Sequence, residues 1–303
     1  MAIDAATAEL FSALGQAGAR ARLLKGPSIA RWLYHDPDDR EYGDCDVLIA
    51  PEWLADAERA LDALGYEREY DDRSLPDWWR EHASAWLRHR DGVSVDLHRT
   101  LVGVGVPDPE CWQLLSADPG SLRVGGIEVL TLNEPARMLH VALHAAQHGA
   151  GRGQGIQDLN RTVERGDDQV WRDTAGLARS LHAEDALAAG LALCESGRAL
   201  ATRLELPGTG AATDARLRAA GVRSPALTFE TLASADGLRA RAAIVWHKLV
   251  PPAEFMRHWD PAAERGGARL LWAYVRRPAW VLRQAPAGLR AWQRARSGGG
   301  HRV

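Results

Sequence analysis

The first 70 residues alternate between helical and strand patterns of apolar side chains. Apolar positions spaced three and four residues apart predict amphipathic helices, whereas short apolar runs predict buried strands. Proline at the start of a helix and glycine just after its end mark the limits. These patterns predict helices over residues 6–18, 27–34 and 51–65, strands over residues 21–26 and 45–50, and a loop over residues 35–44.

Alternating apolar and polar residues over positions 84–99 predict an antiparallel pair of strands around an Asp91-Gly92 turn. Another strand is predicted at 127–132, followed by Asn133 as the N-cap of a helix that extends to about His148. From there to about residue 248, Ala, Leu and Arg recur at helical spacing. We therefore predict an α+β fold with a small mixed-sheet domain at 1–132, a helical domain at 133–264 and a basic segment at 265–303.

The composition is that of an ordinary globular protein, with 46% apolar and 25% charged residues. The sequence shows neither an apolar stretch long enough to span a bilayer nor a secretory signal pattern, so we expect a cytoplasmic protein. Cys45, Cys111 and Cys194 are few and widely spaced. They are expected to be small buried hydrophobic residues instead of a disulfide framework or a zinc cluster.

Charge is distributed unevenly along the chain. Residues 1–264 carry 40 acidic and 28 basic side chains, a net charge of −12, whereas residues 265–303 carry nine Arg and no acid. Only two of the 37 basic residues are Lys. Because an ammonium and a guanidinium are not interchangeable, Lys25 becomes a candidate site residue.

Asp44 and Asp46 stand at the beginning of a predicted strand with one residue between them. Side chains alternate faces along a strand, so both carboxylates point to the same side. Asp96 also stands between two apolar residues, on a later predicted strand. If the two strands pair, the three carboxylates can converge on one metal centre. A divalent cation with oxygen ligands would neutralise such a cluster, and magnesium is the usual choice. The alternative is three unrelated acids at a loop, a strand edge and a solvated strand face.

The segment from Leu23 to Ser28 is a strand that enters a helix through glycine. Such a turn presents backbone N–H groups and the positive end of a helix, which is a site for phosphate. We therefore predict nucleotide or phosphate contacts from Lys25, Gly26 and Ser28, with bidentate contacts from Arg40.

These residues resemble the polymerase-β-like nucleotidyltransferase superfamily, whose pattern is a glycine turn, a strand with Asp-x-Asp and a third acid on a further strand. Over residues 10–165 the chain looks more closely like a bacterial family of uncharacterised nucleotidyltransferases, often associated with natural-product or surface-polysaccharide gene clusters. The motifs behind this resemblance are Lys25-Gly26, Tyr34, Arg40, Gly43 to Asp46, Gly65-Tyr66, Asp96 to His98, and His140, His144 and His148. The sequence departs from the wider superfamily where Pro27 separates Gly26 from Ser28.

The resemblance implies magnesium-dependent transfer of a nucleoside monophosphate, with AMP from ATP as the expected group, onto a hydroxyl or phosphate of a small-molecule or peptide acceptor. Asp44, Asp46 and Asp96 would then be catalytic and would hold one or two Mg²⁺ ions. The alternative is a binding module with the same fold that recognises nucleotide or a partner without turnover.

Three histidines, His140, His144 and His148, recur every four residues on one predicted helix face. They are candidates for the acceptor pocket or for packing, with Asp158 as an orienting partner, while a zinc site is a weaker alternative. His98 is expected near the carboxylates.

The segment from Arg269 to Arg296 mixes arginine with Trp272, Trp280 and Trp292. Such composition suits an anionic membrane surface better than nucleic acid. In the alternative, the Trp residues pack within the protein while the Arg residues face water.

Overall fold

The computed structural model describes residues 2–149, 153–207, 213–220 and 225–297. Its contacts divide the chain into two compact units. The first consists of Met1–Glu69 and His82–Ala211, and the second of Tyr70–Glu81 and Ala212–Val303. The domain boundaries at 132 and 264 remain a prediction, because spatial grouping does not show which segments fold independently.

A mixed sheet organises the first unit, in the strand order β3-β4-β5-β2-β1-β7-β6. The α+β prediction is therefore confirmed, with one sheet in the N-terminal half and helices after it. The strands are β1 Ala21–Leu23, β2 Asp44–Ile49, β3 Glu67–Arg68, β4 Ala83–Arg88, β5 Val93–His98, β6 Gly120–Val124 and β7 Ile127–Thr131.

Strand β2 lies at the centre of the sheet, antiparallel to β1 and parallel to β5. The expected pairing of the Asp96 strand with the Asp46 strand is confirmed, and the two residues are direct partners in the register. The predicted hairpin of β4 and β5 is also confirmed, with Gly92 at a positive φ of 71° in its turn. The sequence patterns did not predict β6, which pairs with β7 and exposes much of its length.

Helices cover both faces of the sheet, which explains why β2 is buried on both sides. Cys45, Val47 and Ile49 pack with one group of helices, α1 Ala2–Gln16 and α3 Leu54–Ala63. Leu48 packs on the other face, where α5 is the central helix. That face carries α2 Pro27–Leu33, α4 Asp108–Leu115, α5 Glu134–His148, α6 Gly153–Arg165, α7 Asp168–Ser180, α8 Glu184–Leu191 and α9 Glu195–Arg203.

Two sequence predictions about local chemistry are confirmed. The Asn133 side chain accepts a hydrogen bond from the backbone N–H of Ala136 at 3.0 Å, which makes it the N-cap of α5. The three cysteines are buried and form no disulfide. Among the described residues, none of the helices combines the length and apolar character that crossing a membrane requires.

The second unit is helical. Its helices are α10 Thr213–Ala219, α11 Pro225–Ser234, α12 Gly237–Leu249, α13 Ala253–Trp259 and the long α14 Gly267–Ser297. Trp280 packs edge-on against Trp259, and the Trp292 indole donates a hydrogen bond to Glu230 at 2.6 Å. Trp272 remains 59% exposed, so packing accounts for only part of the Arg/Trp segment.

Candidate active site

Four polar side chains share one face of the two central strands. Asp46 and Asp96 are cross-strand partners in the register of β2 and β5. Asp44 lies two residues before Asp46 and His98 two residues after Asp96, so the alternation of strand side chains places all four on the side that faces α5. The register of β2 and β5 thus places Asp44, Asp46 and Asp96 on one face of the sheet.

The turn after β1 brings Lys25 to the same place. The backbone N–H of Leu24 donates to the carbonyl of Asp46 at 2.9 Å, which fixes the strand end next to β2. Gly26 follows as the N-cap of α2, with φ 59° and ψ −119°. A Cβ at this position would lie 3.2 Å from the carbonyl oxygen of Asp44. The turn therefore requires glycine both for its conformation and for its close approach to β2.

Replacing Gly26 with alanine is expected to destabilise the fold by about 1–3 kcal/mol, because a side chain would be held in a region that L residues rarely adopt. Urea unfolding at equilibrium measures this change. The matched control is Gly15→Ala in α1, where a new Cβ meets nothing within 4 Å and helix propensity favours alanine. Equal effects of the two substitutions would contradict a special role for the Gly26 turn.

Asp46 is fully buried and is held by two positively polarised groups. The Lys25 ammonium lies 2.7 Å from its Oδ1 atom, and Nε2 of His98 lies 2.9 Å from the same atom. Burial alone would raise the pKa of Asp46, but the hydrogen bond from His98 and the charge of Lys25 outweigh it and hold the pKa well below the ordinary value. Asp46 is therefore ionised at neutral pH.

Asp44 and Asp96 have the opposite electrostatic character. Burial raises the pKa of both carboxyl groups, and the negative charge of Asp46 raises each further. The charge of Asp46 thus opposes the ionisation of the two other acids on this face of the sheet, and a bound cation would relieve the repulsion.

These side chains open into a cavity of about 300 Å³ within the first unit. Its volume is at the lower end of the range for small-molecule sites. Apolar residues from the loop after β5 and from α5 form part of its wall. The lining residues are Lys25, Asp44, His82, Asp96, His98, Leu101, Val102, His140, Leu143, His144, Gln147 and His148.

The predicted histidine row forms the α5 side of this cavity. The rings of His144 and His148 lie 4.4 Å apart, and those of His140 and His144 lie 6.4 Å apart. Burial, together with the nearby charge of Lys25, lowers the pKa of His140 to about 3. The same two causes place the pKa of His144 well below its ordinary value. Both rings are neutral at pH 7 and can exchange hydrogen bonds with a ligand without adding charge.

A buried neutral histidine makes stability sensitive to acid. Because the pKa of His140 is about 3 in the folded chain and about 6.5 when unfolded, its contribution is complete above pH 6.5 and is lost as pH falls toward 3. We expect His140→Leu to reduce the loss of unfolding free energy between pH 7 and pH 4 by about 2–4 kcal/mol. Urea titrations at both pH values measure it. The exposed His89→Gln is the control, and an identical acid loss in wild type and His140→Leu would contradict a neutral His140.

Arg40 and Asp158 bind each other. The Arg40 guanidinium donates from Nε and Nη2 to both carboxylate oxygens of Asp158, at 2.8–3.1 Å. Tyr34 donates its hydroxyl to the same carboxylate at 2.7 Å, and burial together with this bond raises the pKa of Tyr34 to about 12. Arg40 and Asp158 are only 7% and 4% exposed. Their contacts indicate a buried structural pair, and the phosphate contact from Arg40 stays a prediction.

Among the described residues that line the main cavity, Ser28 is absent. Its side chain is fully buried in the first turn of α2, where Pro27 occupies the first helical position and Ser28 the second. Arg40 and Asp158 instead line a space of about 10 Å³ that shares Lys25, His140 and His144 with the cavity. The expected orienting contact from Asp158 to a histidine is replaced by its pairing with Arg40.

Two polar lining residues, His82 and Gln147, were not predicted from the sequence. His82 directly precedes β4, and its ring centroid lies 5.3 Å from that of His98. Its backbone carbonyl accepts a hydrogen bond from Arg99 at 3.0 Å, which places it just beyond the end of β5. Extending the predicted hairpin by one pair past Ala83 and His98 would have found it.

The residues present fit a divalent cation. One ligand atom from each of Asp46, Asp96 and His98 lies within 4.8 Å of the others. The second carboxylate oxygen of Asp46 is buried with no hydrogen-bond partner among the described residues, so it has an unused lone pair. The two carboxylates suit magnesium or manganese, whereas an imidazole ligand from His98 would suit a transition metal. The predicted ligand Asp44 lines the cavity but lies one strand repeat from Asp46, roughly 6.6 Å along the backbone, which is farther than the cross-strand spacing.

One family of known proteins matches the sequence over most of its length. The family model described as uncharacterised nucleotidyltransferase matches residues 1–197. No curated protein matches the sequence. Among solved structures, antibiotic-resistance factor ANT(2'')-Ia is similar with a TM-score of 0.42 and 13% identity over 57% of this chain and 89% of that chain. An antigenic nucleotidyltransferase-like protein from Paracoccidioides brasiliensis has a TM-score of 0.37 and 16% identity, covering 60% and 92%. Because the family model covers well over half of its length, the chain belongs to the family of uncharacterised nucleotidyltransferases.

Proposed function

We propose that this chain transfers a nucleoside monophosphate, AMP from ATP in the first instance, to a hydroxyl or phosphate of a small-molecule or peptide acceptor. Pyrophosphate is the leaving group, and magnesium is required. The observation that supports the proposal most strongly is that Asp96, which lines the cavity together with Lys25, is the direct cross-strand partner of the buried Asp46. A buried acid and a half-buried acid beside a cation and an open cavity reduce the stability of the fold but are useful for binding charged substrates.

The proposed roles follow from the environment of each side chain. A divalent ion held by Asp46, Asp96 and either Asp44 or His98 would supply charge neutralisation for the triphosphate when bound. The Lys25 ammonium lines the cavity and is 16% exposed, so it can reach a bound ligand. When nucleotide binds, Lys25 would exchange its ion pair with Asp46 for a contact to a phosphate oxygen. Gly26 keeps the backbone of the turn close to β2 and leaves room for the phosphate chain.

Asp96 is suited to accept the acceptor's proton, because its raised pKa makes it a stronger base than an ordinary carboxylate. The acceptor oxygen forms a bond to the α-phosphorus while the bond between that phosphorus and the bridging oxygen of pyrophosphate breaks. His140 and His144, both neutral, line the cavity on the α5 side and would hydrogen-bond the acceptor. Leu101, Val102 and Leu143 supply apolar contacts there.

Labelled ATP tests the reaction type. Wild-type protein is incubated with magnesium and a small-molecule extract, using ATP labelled at the α-phosphorus or at the γ-phosphorus in parallel. We expect the α-label in a new product and the γ-label in pyrophosphate. Transfer of the γ-label to product would instead show a kinase and overturn the proposal. Asp62→Asn, an exposed acid of α3, is the matched control for substitutions in the site.

One observation favours a second candidate, a module that binds nucleotide without turnover. The Lys25 ammonium pairs with Asp46, and His98 shares a hydrogen bond with it, without any metal. A binding module could keep this arrangement unchanged. Calorimetry distinguishes the two candidates if ATP binds equally well with magnesium and with EDTA while no label is transferred.

A further inference from the structure

Helix α14 carries an exposed apolar stripe along its length. Leu271, Val275 and Leu282 are 67%, 60% and 69% exposed, and Leu289 continues the series at 36%. With 3.6 residues per turn, these four positions lie within about 40° of one another around the helix. Trp272 is 59% exposed next to the stripe. A long helix with one unburied apolar face calls for a partner surface.

A row of arginines runs beside this stripe. Arg269, Arg276, Arg283 and Arg290 follow one another at intervals of seven residues, and all are exposed. The row lies about 60–160° around the helix from the stripe. Arg276 pairs with Asp260, whereas the other three form no ion pair within the described chain. The helix contains seven Arg and no acid.

Helix α12 also exposes apolar side chains and lacks acidic residues. Leu238, Val245 and Trp246 are 83%, 44% and 61% exposed. Val245 and Leu282 line a common apolar cavity of about 230 Å³ between α11, α12 and α14. Because both residues are also exposed, the cavity opens between α12 and α14, and apolar surface is continuous from one helix to the other.

Two basic side chains line that cavity, the buried Arg277 and the half-buried Lys248, and Lys248 feels the charge of the nearby Glu81 carboxylate. The Arg277 guanidinium is 4% exposed and lies about 5 Å from the ring centroids of Phe255, Trp259 and Trp280. The Lys248 ammonium lies 3.5 Å from the ring centroid of Trp79. Burial and the charge of Arg277 lower the pKa of Lys248 to about 7. The cavity therefore favours apolar groups with anionic ends.

We propose that α14 and the adjoining residues of α12 bind the surface of an anionic phospholipid bilayer. The apolar stripe enters the boundary between head groups and acyl chains, and the arginine row contacts phosphate groups. A second copy of the chain fits this face less well, because its α14 would bring the same arginines and no acids. Nucleic acid would satisfy the arginines but would leave the Leu and Val side chains in water.

Vesicle flotation of the full chain tests the proposal. We expect the protein to float with vesicles that contain phosphatidylglycerol and phosphatidylcholine, and to stay behind with pure phosphatidylcholine. High salt should release it, since the arginine contacts are screened. Absence of binding to the anionic vesicles, or equal binding to both kinds, would overturn the proposal.

Matched variants test the two components. Leu271→Ser with Leu282→Ser should weaken binding to anionic vesicles at least tenfold, whereas Leu130→Ser, an exposed leucine of β7, should not change it. Replacing Arg269, Arg283 and Arg290 with Gln should also weaken binding at least tenfold, compared with Gln at Arg123, Arg172 and Arg203 of the first unit. All these residues are exposed, so circular dichroism should show unchanged folding.

Analytical ultracentrifugation of the same proteins tests the alternative that a second copy of the chain binds this apolar stripe. If the wild type forms a dimer that the double Leu variant dissociates, the stripe is an interface between copies and the proposal is wrong. Vesicle binding and nucleotide transfer can fail independently, because none of these variants lines the cavity of the first unit.

Discussion

Replacing Asp96 with asparagine is expected to abolish nucleotidyl transfer and at the same time to stabilise the folded chain at neutral pH. Burial and the charge of Asp46 raise the pKa of this carboxyl group, so its ionised form is held at a cost in free energy. A neutral amide of the same shape removes that cost, which is about 1 kcal/mol. It also removes the proposed base and cation ligand, so transfer should fall about a thousandfold. Thermal unfolding at pH 7.5 and transfer of the α-label measure the two effects.

Asp46→Asn shows whether the stabilisation expected for Asp96→Asn is specific to Asp96 or follows from the loss of any acid in the site. Asp46 bonds with Lys25 and His98, so its replacement leaves a nearly buried ammonium without its counter-charge. We expect Asp46→Asn to lose as much nucleotidyl transfer as Asp96→Asn. Its free energy of unfolding should fall by about 2–4 kcal/mol, whereas that of Asp96→Asn should rise. If both substitutions destabilise the chain to the same extent, the electrostatic description of the site is wrong.

Removing either partner of the Arg40 and Asp158 pair is expected to destabilise the first unit by about 3–5 kcal/mol, because the remaining charge would be buried alone. Arg40→Met and Asp158→Leu test this separately in urea unfolding. Combining the two should recover at least 2 kcal/mol, since neither charge is then left unpaired. The exposed pair of Arg20 and Glu52 provides the control, and Arg20→Met should change stability by less than about 1 kcal/mol.

Arg40→Lys distinguishes a structural role from the predicted phosphate contact. Lysine keeps the charge but cannot make the bidentate contact with Asp158, so stability should fall. The KM for ATP should then change no more than it does in Asp158→Asn. A large rise in KM with unchanged stability would show that Arg40 binds nucleotide and that its pairing with Asp158 matters little.

The sequence predicts the central part of the site because strand alternation is a local property. The spacing of Asp44 and Asp46 places both on one side of their strand, and the matching pattern around Asp96 places it opposite its apolar neighbours, so the three acids share a face once the two strands pair. Which atoms come closest depends on the register of β2 and β5, and no sequence pattern indicates it. For this reason the close cluster contains His98, while Asp44 lies farther along its strand.

Contacts between distant segments account for the remaining differences. Arg40 and Asp158 are separated by 118 positions, so nothing near either residue indicates their pairing. Ser28 matches the phosphate-binding pattern by type, but Pro27 starts α2 directly after Gly26 and turns the hydroxyl into the core. The segment Tyr70–Glu81 groups with the C-terminal helices, although its sequence looks like an ordinary loop between strands.

Calorimetric titration of ATP into the wild-type chain is the most direct test of the central claim, that the acids of β2 and β5 hold a divalent ion beside the cavity. The expected result is binding with magnesium, none with EDTA, and at least a tenfold loss of affinity in both Asp46→Asn and Asp96→Asn. Equal affinity with EDTA, or unchanged affinity in the two variants, would contradict it.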